Sequence, residues 1–389
     1  MIASFIILFV YGLTIDLKTS LESALEYSPH LKSLKEEMRS FDGKALIYRW
    51  YINPSIGVEF GNFGTSKESF GKSPFYRLSY LQPILLYPIG NLSKEVVENE
   101  KQAFRLFLEK EKNILLGEVY RTFYEALYKK ELLKIAETNL KISDEIYKFV
   151  KKLYEFGETT RIEISKAETE KKLAKTEFEI AKAEYKNTLK KLYSLVGKEV
   201  EDVEGKLEDI KEIGEIKPEE LPHVRLYDYT IESIKRSIEL EKLFAKPQLS
   251  IEVLTEKVAE REYGIRFGIT TTLPLFYRKE GEIIQLMSQA NALSYQKEKE
   301  IINIKSEYEN LMKIYTVIKE EFQRIEDEIL PRAKQNLSLA IKSYQLRIIT
   351  FLELSDTERR YVELLKYRAG ILMKAHEEFA KYLTLGGKL

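Results

Sequence analysis

The chain has 389 residues, with 62 Lys plus Arg set against 62 Asp plus Glu and only three His. That balance implies no strongly basic face and speaks against nucleic acid as a partner. Cysteine is absent, which excludes disulfides, thiolate metal sites, a cysteine nucleophile and a lipidated N-terminal cysteine.

The first 13 residues form an apolar run, Met1 to Leu13. It is too short for a membrane-spanning helix, which takes roughly 20 residues. It suits the apolar core of a secretory signal peptide with cleavage near Tyr11–Leu13, although the usual basic residue is missing. From Asp16 to about Trp50 the apolar residues Leu17, Leu21, Leu25, Leu31 and Leu34 recur at helical spacing, with a break expected at Ser28-Pro29.

The period then changes to two, and a β-hairpin is predicted over 53–87. Ile56, Val58 and Phe60 alternate with small or polar residues, and Tyr76, Leu78 and Tyr80 alternate with Arg77 and Ser79. The intervening Gly61–Pro74, rich in Gly and Ser, reads as a loop. A Pro–Gly joint at Pro83–Gly90 leads into a predicted helix over 91–156, interrupted by no proline and by one glycine, Gly117. Its rows Val119, Ala126, Leu133, Leu140, Tyr147, Tyr154 and Ile135, Ile142, Phe149, Phe156 keep a heptad, the signature of left-handed supercoiling against neighbouring helices. Gly157 stops it, and Thr159 or Thr160 caps the next helix, 160–196. Residues 201–221 read as an acidic linker or small equatorial element.

The same plan then recurs. A helix over 224–245 precedes a hairpin over 247–276, a long helix over 280–346 with Pro331 as a potential kink, and a last helix over 350–385. Pro83 aligns on Pro274 and Gly90 on Gly281 at a separation of 191, and Tyr154, Thr160, Ser165 and Glu168 on Tyr344, Thr350, Ser355 and Glu358 at 190. The chain is therefore a duplicated unit, 14–200 and 222–389. In the first half the two shorter helices together match the long one in length, so they are expected to stack end to end along it. The hairpin then lies at one end of a rod and the helical turn at the other.

Four strands with one apolar face do not close a barrel within one chain, and open edges in lipid leave backbone groups unsatisfied, so closure by oligomerisation is expected. Trp50, Tyr51, Tyr87, Phe276 and Tyr277 lie at the helix-side edge of the strands, where a membrane-interface girdle of aromatics belongs. A soluble hairpin on a coiled-coil scaffold is the competing reading, and a periplasmic adaptor a third.

The joints Gln82-Pro83-Ile84-Leu85 and Leu273-Pro274-Leu275-Phe276, the segment Tyr154 to Ile164, and Tyr344 with Phe351 to Asp356 together resemble the TolC family of outer-membrane efflux proteins over essentially the whole mature chain. The resemblance implies a mainly α fold with a membrane β part: a long antiparallel coiled-coil α-barrel, with four strands per protomer completing a twelve-stranded trimeric β-barrel. It implies a homotrimer in the outer membrane reaching into the periplasm. It also implies a periplasmic adaptor and an inner-membrane pump of the RND or ABC type as partners.

The expected function is passive export of small molecules or metal ions through a channel-tunnel, with type I protein secretion as the alternative. The joint Pro274-Leu275-Phe276-Tyr277-Arg278 leans towards the metal or drug branch. No catalytic, cofactor or metal site emerges; His30, His223 and His376 are far apart in sequence.

The resemblance places the closing gate at the helical turns. Glu353 and Asp356 match the family's tunnel-lining carboxylates, and Tyr344 its tip tyrosine. Arg347 stands where the family usually has glycine, and the tip arginine expected at Ile349 is missing. Arg347 or Arg161, with Glu163 beside them, is then expected to take part in a rearranged latch.

Overall fold

The computed structural model describes residues 13–48, 52–65, 68–258 and 262–389. They divide into two compact units. One comprises residues up to Lys32, Glu109–Leu221 and Ile302–Leu389; the other comprises Ser33–Leu108 and Pro222–Ile301. The division does not follow the sequence halves, since each unit takes segments from both repeats.

The first unit is helical. Asp16 caps α1 (Leu17–Tyr27) by accepting from the Thr19 N–H at 2.9 Å. Ser28 ends α1 and starts α2 (Pro29–Ile47) by accepting from the Leu31 N–H at 3.3 Å, with Pro29 in the first helical position. The helix α3 (Ile89–Glu155) runs unbroken through Gly117. A mid-helix glycine is a poor helix former, and here close packing demands it. A Cβ at 117 would lie 2.3 Å from Thr384 Oγ1 and 2.8 Å from the Ala380 carbonyl of the last helix. That last helix, α8 (Phe351–Thr384), is densely buried towards its end, with Leu372, His376 and Phe379 among its buried residues. The helix α4 (Arg161–Val196) ends at Gly197.

Residues 201–221 are more ordered than a linker. Leu13–Ile15 forms β1 and pairs in parallel with β4 (Val200–Val203). Asp202 accepts from Lys130 Nζ at 2.7 Å and from the Tyr185 hydroxyl. The Leu207 carbonyl lies 2.8 Å from Nε2 of the buried His376, whose Nδ1 lies 3.0 Å from the Tyr120 hydroxyl. A carbonyl only accepts, so Nε2 carries the proton and Nδ1 accepts from Tyr120. Side chains of the surrounding helices fix this stretch.

Pro331 is accommodated without breaking the helix. After α6 (Glu280–Arg324), Ile325–Ile329 widens into one π-helical stretch before α7 (Leu330–Gln345), and Pro331 occupies the first turn of α7. A proline lacks the N–H that the preceding turn would bond, and a π bulge absorbs that mismatch. Arg368 anchors the bulge through Glu326 at 2.7 Å and reaches Glu208 at 3.0 Å.

The second unit holds the antiparallel sheet, in the order β2 (Ser55–Thr65), β3 (Glu68–Ile84), β5 (Gln248–Val258), β6 (Glu262–Thr272). Of the Gly61–Pro74 stretch expected as a loop, the described residues 61–65 and 68–74 are strand, with Gly61 opposite Phe75 and Phe63 opposite Ser73. Glycine and serine weaken a strand, but continuous backbone pairing to a neighbour overrides composition. Helical segments around the sheet are tied by Lys101–Asp42 at 2.6 Å and Phe41 against Phe104 at 5.4 Å. The helix α5 (Pro222–Phe244) is joined to α6 through Lys297–Asp228 at 2.5 Å. Among the described residues no helix is long and apolar enough to cross a membrane.

Candidate functional site

Two places gather the chemistry that the sequence singled out: the pair of helical turns in the first unit and the sheet in the second.

The turns share one backbone design. After α3, Gly157 takes φ +72° while its N–H bonds the Tyr154 carbonyl at 2.9 Å and the Glu158 N–H bonds that of Leu153 at 2.7 Å. After α7, Arg347 takes φ 62° while its N–H bonds the Tyr344 carbonyl at 3.0 Å and the Ile348 N–H bonds that of Ser343 at 2.8 Å. Both are left-handed helix ends of the Schellman type. The Arg347 guanidinium donates to the Glu158 carboxylate, joining one turn to the other. Glu158 was missed in the sequence; nothing but the fold brings it to Arg347.

Tyr344 is buried among Val150, Ala167, Ala340, Phe351 and Leu354, edge-on to Phe149 at 5.9 Å. Burial and then the nearby Glu163 carboxylate push its phenol up to about 12. No hydrogen bond of normal geometry reaches its oxygen. Glu163 itself accepts from the Thr159 hydroxyl. Arg161 is exposed at the start of α4 and forms no ion pair among the described residues.

Glu353 and Asp356 are engaged locally. Glu353 closes a capping box, accepting from the Thr350 N–H at 2.7 Å while its own N–H bonds Thr350 Oγ1 at 3.3 Å. The Thr350 backbone bond holds its carboxyl below the usual range. Asp356 accepts from Arg360 at 2.8 Å and Arg359 at 2.9 Å, which lower it likewise. Both carboxylates are thus ionised and already hydrogen-bonded.

Two residues below Asp356, Glu358 is buried at 7% exposure, with Ser143 Oγ at 3.1 Å. It lines a cavity of 420 Å³ between α3, α4 and α8, together with Glu170, Glu177, Arg359 and Lys366. Burial pushes its carboxyl up to about 7. The repeat equivalent Glu168 is exposed and bonded to Lys172 at 2.8 Å. Alignment of the repeats paired the two as equivalents, although Glu168 has Lys172 one turn on where Glu358 has Val362.

The sheet has two unlike faces. Ile56, Val58 and Phe60 of β2, Tyr76, Leu78 and Tyr80 of β3, and Tyr263, Ile265, Phe267 and Ile269 of β6 all point to one side and are exposed, Phe60 and Phe267 at 80%. So large an apolar surface does not stay in water unpartnered. The other side carries a row of charges, one from each strand. Arg77 donates to Glu59 at 2.9 Å and to Glu256 at 3.3 Å, and Arg266 donates to Glu256.

Of the aromatics expected at a membrane boundary, Trp50 and Tyr51 lie outside the described residues. Tyr87 is half-buried with the Lys246 ammonium 5.0 Å from its ring centre. Phe276 is fully exposed. Tyr277 donates to Glu282 and accepts from the Gly281 N–H at 3.1 Å, so it also secures the start of α6. No group of histidines and carboxylates suited to a metal occurs among the described residues.

No family model matches the sequence, and no curated protein does. Solved structures do. The structure of CusC, described for folding and transmembrane channel formation, matches at 14% identity with a TM-score of 0.82, over 97% of this chain and 94% of that one. The open-state MtrE outer-membrane channel of Neisseria gonorrhoeae matches at 16% identity and TM-score 0.79, over 95% and 89%. The outer-membrane protein VceC of Vibrio cholerae matches at 14% and 0.77, over 95% and 96%. The chain therefore shares the fold of these proteins over 95–97% of its length.

Proposed function

We propose that the chain is an outer-membrane channel-tunnel of the TolC kind: a homotrimer whose four-stranded sheets join into one twelve-stranded barrel and whose helices form a duct below it. The observation that carries this reading is the sheet, with an exposed apolar face on one side, a charge row on the other, and open outer edges on β2 and β6. Lipid suits the first face and a water-filled lumen the second, and closure with further copies satisfies the edges. The likeness in fold to channels such as MtrE supports it. A soluble scaffold offers no reason for the apolar face.

Export through such a duct is passive, with energy and substrate choice supplied by an adaptor and an inner-membrane pump. Small molecules or metal ions are the proposed cargo. The turns carrying Tyr344, Arg347, Glu353 and Asp356 are the proposed gate, with Glu158–Arg347 as its tie. Membrane fractionation, detergent extraction and light scattering test the core of the reading. A trimer in the outer-membrane fraction that conducts ions in planar bilayers is the expected result; a water-soluble monomer that needs no detergent defeats it.

A further inference from the structure

The charge row has a direction. Read across the sheet it runs Glu59, Arg77, Glu256, Arg266, alternating in sign, and it ends on an edge strand at each side: a carboxylate on β2 and a guanidinium on β6. We propose that these ends are the matching halves of a subunit junction, with β6 of one copy pairing with β2 of the next and Arg266 opposite Glu59 of the next copy. The inference rests on the barrel reading above and adds which edge meets which, and in what register.

Four features favour this junction. The sheet has an even number of antiparallel strands, so β2 and β6 run in opposite directions and head-to-tail joining continues the antiparallel pattern. Joining an edge to its own copy about a two-fold axis gathers like charges on that edge, Glu59 near Glu59 or Arg266 near Arg266, which opposes pairing. The proposed register keeps both faces intact: Ile265 falls opposite Phe60, Phe267 opposite Val58 and Ile269 opposite Ile56, all on the exposed apolar side. It also sets Gly264 opposite Gly61 and Gly268 opposite Gly57, so the junction's two long side chains are flanked by residues with no side chain. A slip by one residue would turn every apolar side chain to the wrong face. Slips by two or four also keep the faces: a slip by four separates the charges, and a slip by two leaves Arg266 diagonal to Glu59, as it already stands to Glu256, so the proposed register is the one that sets the two charges directly opposite each other. Closed in this way, three copies line the lumen with an unbroken alternating ring, each guanidinium lying between two carboxylates.

The chain has no cysteine, so introduced thiols are its only ones. The experiment places Glu59→Cys and Arg266→Cys in one chain, oxidises the membrane-extracted protein mildly and runs a non-reducing denaturing gel. Opposite residues on paired strands lie within disulfide reach. The expected result is a covalent trimer from the double variant and monomer from either single variant. Glu59→Cys with Thr270→Cys, on the same face but four residues along β6, stays monomeric. Separately, Arg266→Glu should lower the detergent resistance of the trimer while Arg266→Lys retains it. A native trimer that bridges at 59 and 270 but not at 59 and 266, or single variants that bridge to themselves, overturn the junction and leave the channel reading standing. A wild-type protein that forms no trimer removes both.

Discussion

Arg347 reaches Glu158 from a backbone conformation that its repeat equivalent achieves as a glycine. The left-handed conformation costs a residue with a Cβ about 1 kcal/mol. An ion pair as exposed as this one, with about half of each side chain in water, returns less than about 1 kcal/mol. Stability alone does not explain the arginine, and a tie between the turns does. Arg347→Gly is therefore expected to keep or slightly raise the melting temperature while increasing single-channel conductance. Glu158→Gln is expected to raise conductance as well, without the gain in stability. A clear loss of stability in Arg347→Gly with unchanged conductance would refute the tie.

Glu358 and His376 give opposing pH dependences. Burial raises the Glu358 carboxyl from an ordinary 4.5 to about 7. The folded state thus holds its proton more tightly, and the stabilisation present below pH 4.5 is lost as pH rises through 7. Burial lowers His376 from 6.5 to about 4. Its contribution is present above pH 6.5 and lost as pH falls through 4. Each spans on the order of 3 kcal/mol at 1.36 kcal/mol per pKa unit, so the two largely cancel in the native protein. Glu358→Gln is expected to make the melting temperature fall more steeply from pH 6.5 to 4 than in wild type. His376→Phe, although less stable overall, is expected to gain stability from pH 7 to 4.5. Parallel pH profiles for the variants and wild type would count against both assignments.

The contact of Gly117 with α8 predicts an inverted helix-propensity effect. Alanine normally stabilises a helix interior by about 1 kcal/mol over glycine. Here its methyl would meet the Ala380 carbonyl at 2.8 Å, and backbone yields poorly. Gly117→Ala is expected to destabilise by about 1–3 kcal/mol, the usual range for overpacking, in denaturant titration of the detergent-solubilised protein. A stabilised variant would show that α8 does not pack there.

The exposed face of the sheet gives the simplest test of a lipid environment. Phe267→Lys places a charge where lipid is proposed, at about 2–4 kcal/mol if near the bilayer midplane. Loss of outer-membrane insertion, with the helical content kept in circular dichroism, is the expected outcome. Normal insertion would mean that this face meets something other than lipid.

Much of this was readable in the sequence because it is periodic. The heptad from Val119 to Tyr154 and the alternations from Ile56 to Phe60 and from Tyr76 to Tyr80 are local patterns, and local patterns survive without coordinates. The failures were of two physical kinds. Residues 61–65 and 68–74 were misread because composition says what a segment prefers alone, while here the end of β2 and the start of β3 pair with each other. Glu358 is covered by neighbouring helices where Glu168 is exposed and bonded to Lys172, and Glu353 was spoken for by its own capping threonine. Burial and partnership are properties of assembled elements, so a repeat alignment treats such residues as equals.

The interleaving of the two units has a consequence for how the protein is made. The sheet joins β3 to β5 across the whole of α4, and the helical unit needs both Ile15 near the start of the chain and His376 near its end. Many of the contacts that assemble the two units join residues far apart in sequence, which slows folding and leaves incomplete chains with uncovered apolar surface. A chain emerging from its amino end finishes β6 more than a hundred residues before α8 is complete. During that interval a water-averse sheet exists without the helix that completes the other unit. Shielding of the nascent chain by holding factors is therefore a requirement of this topology, and truncations within α8 should yield aggregates and not shortened channels.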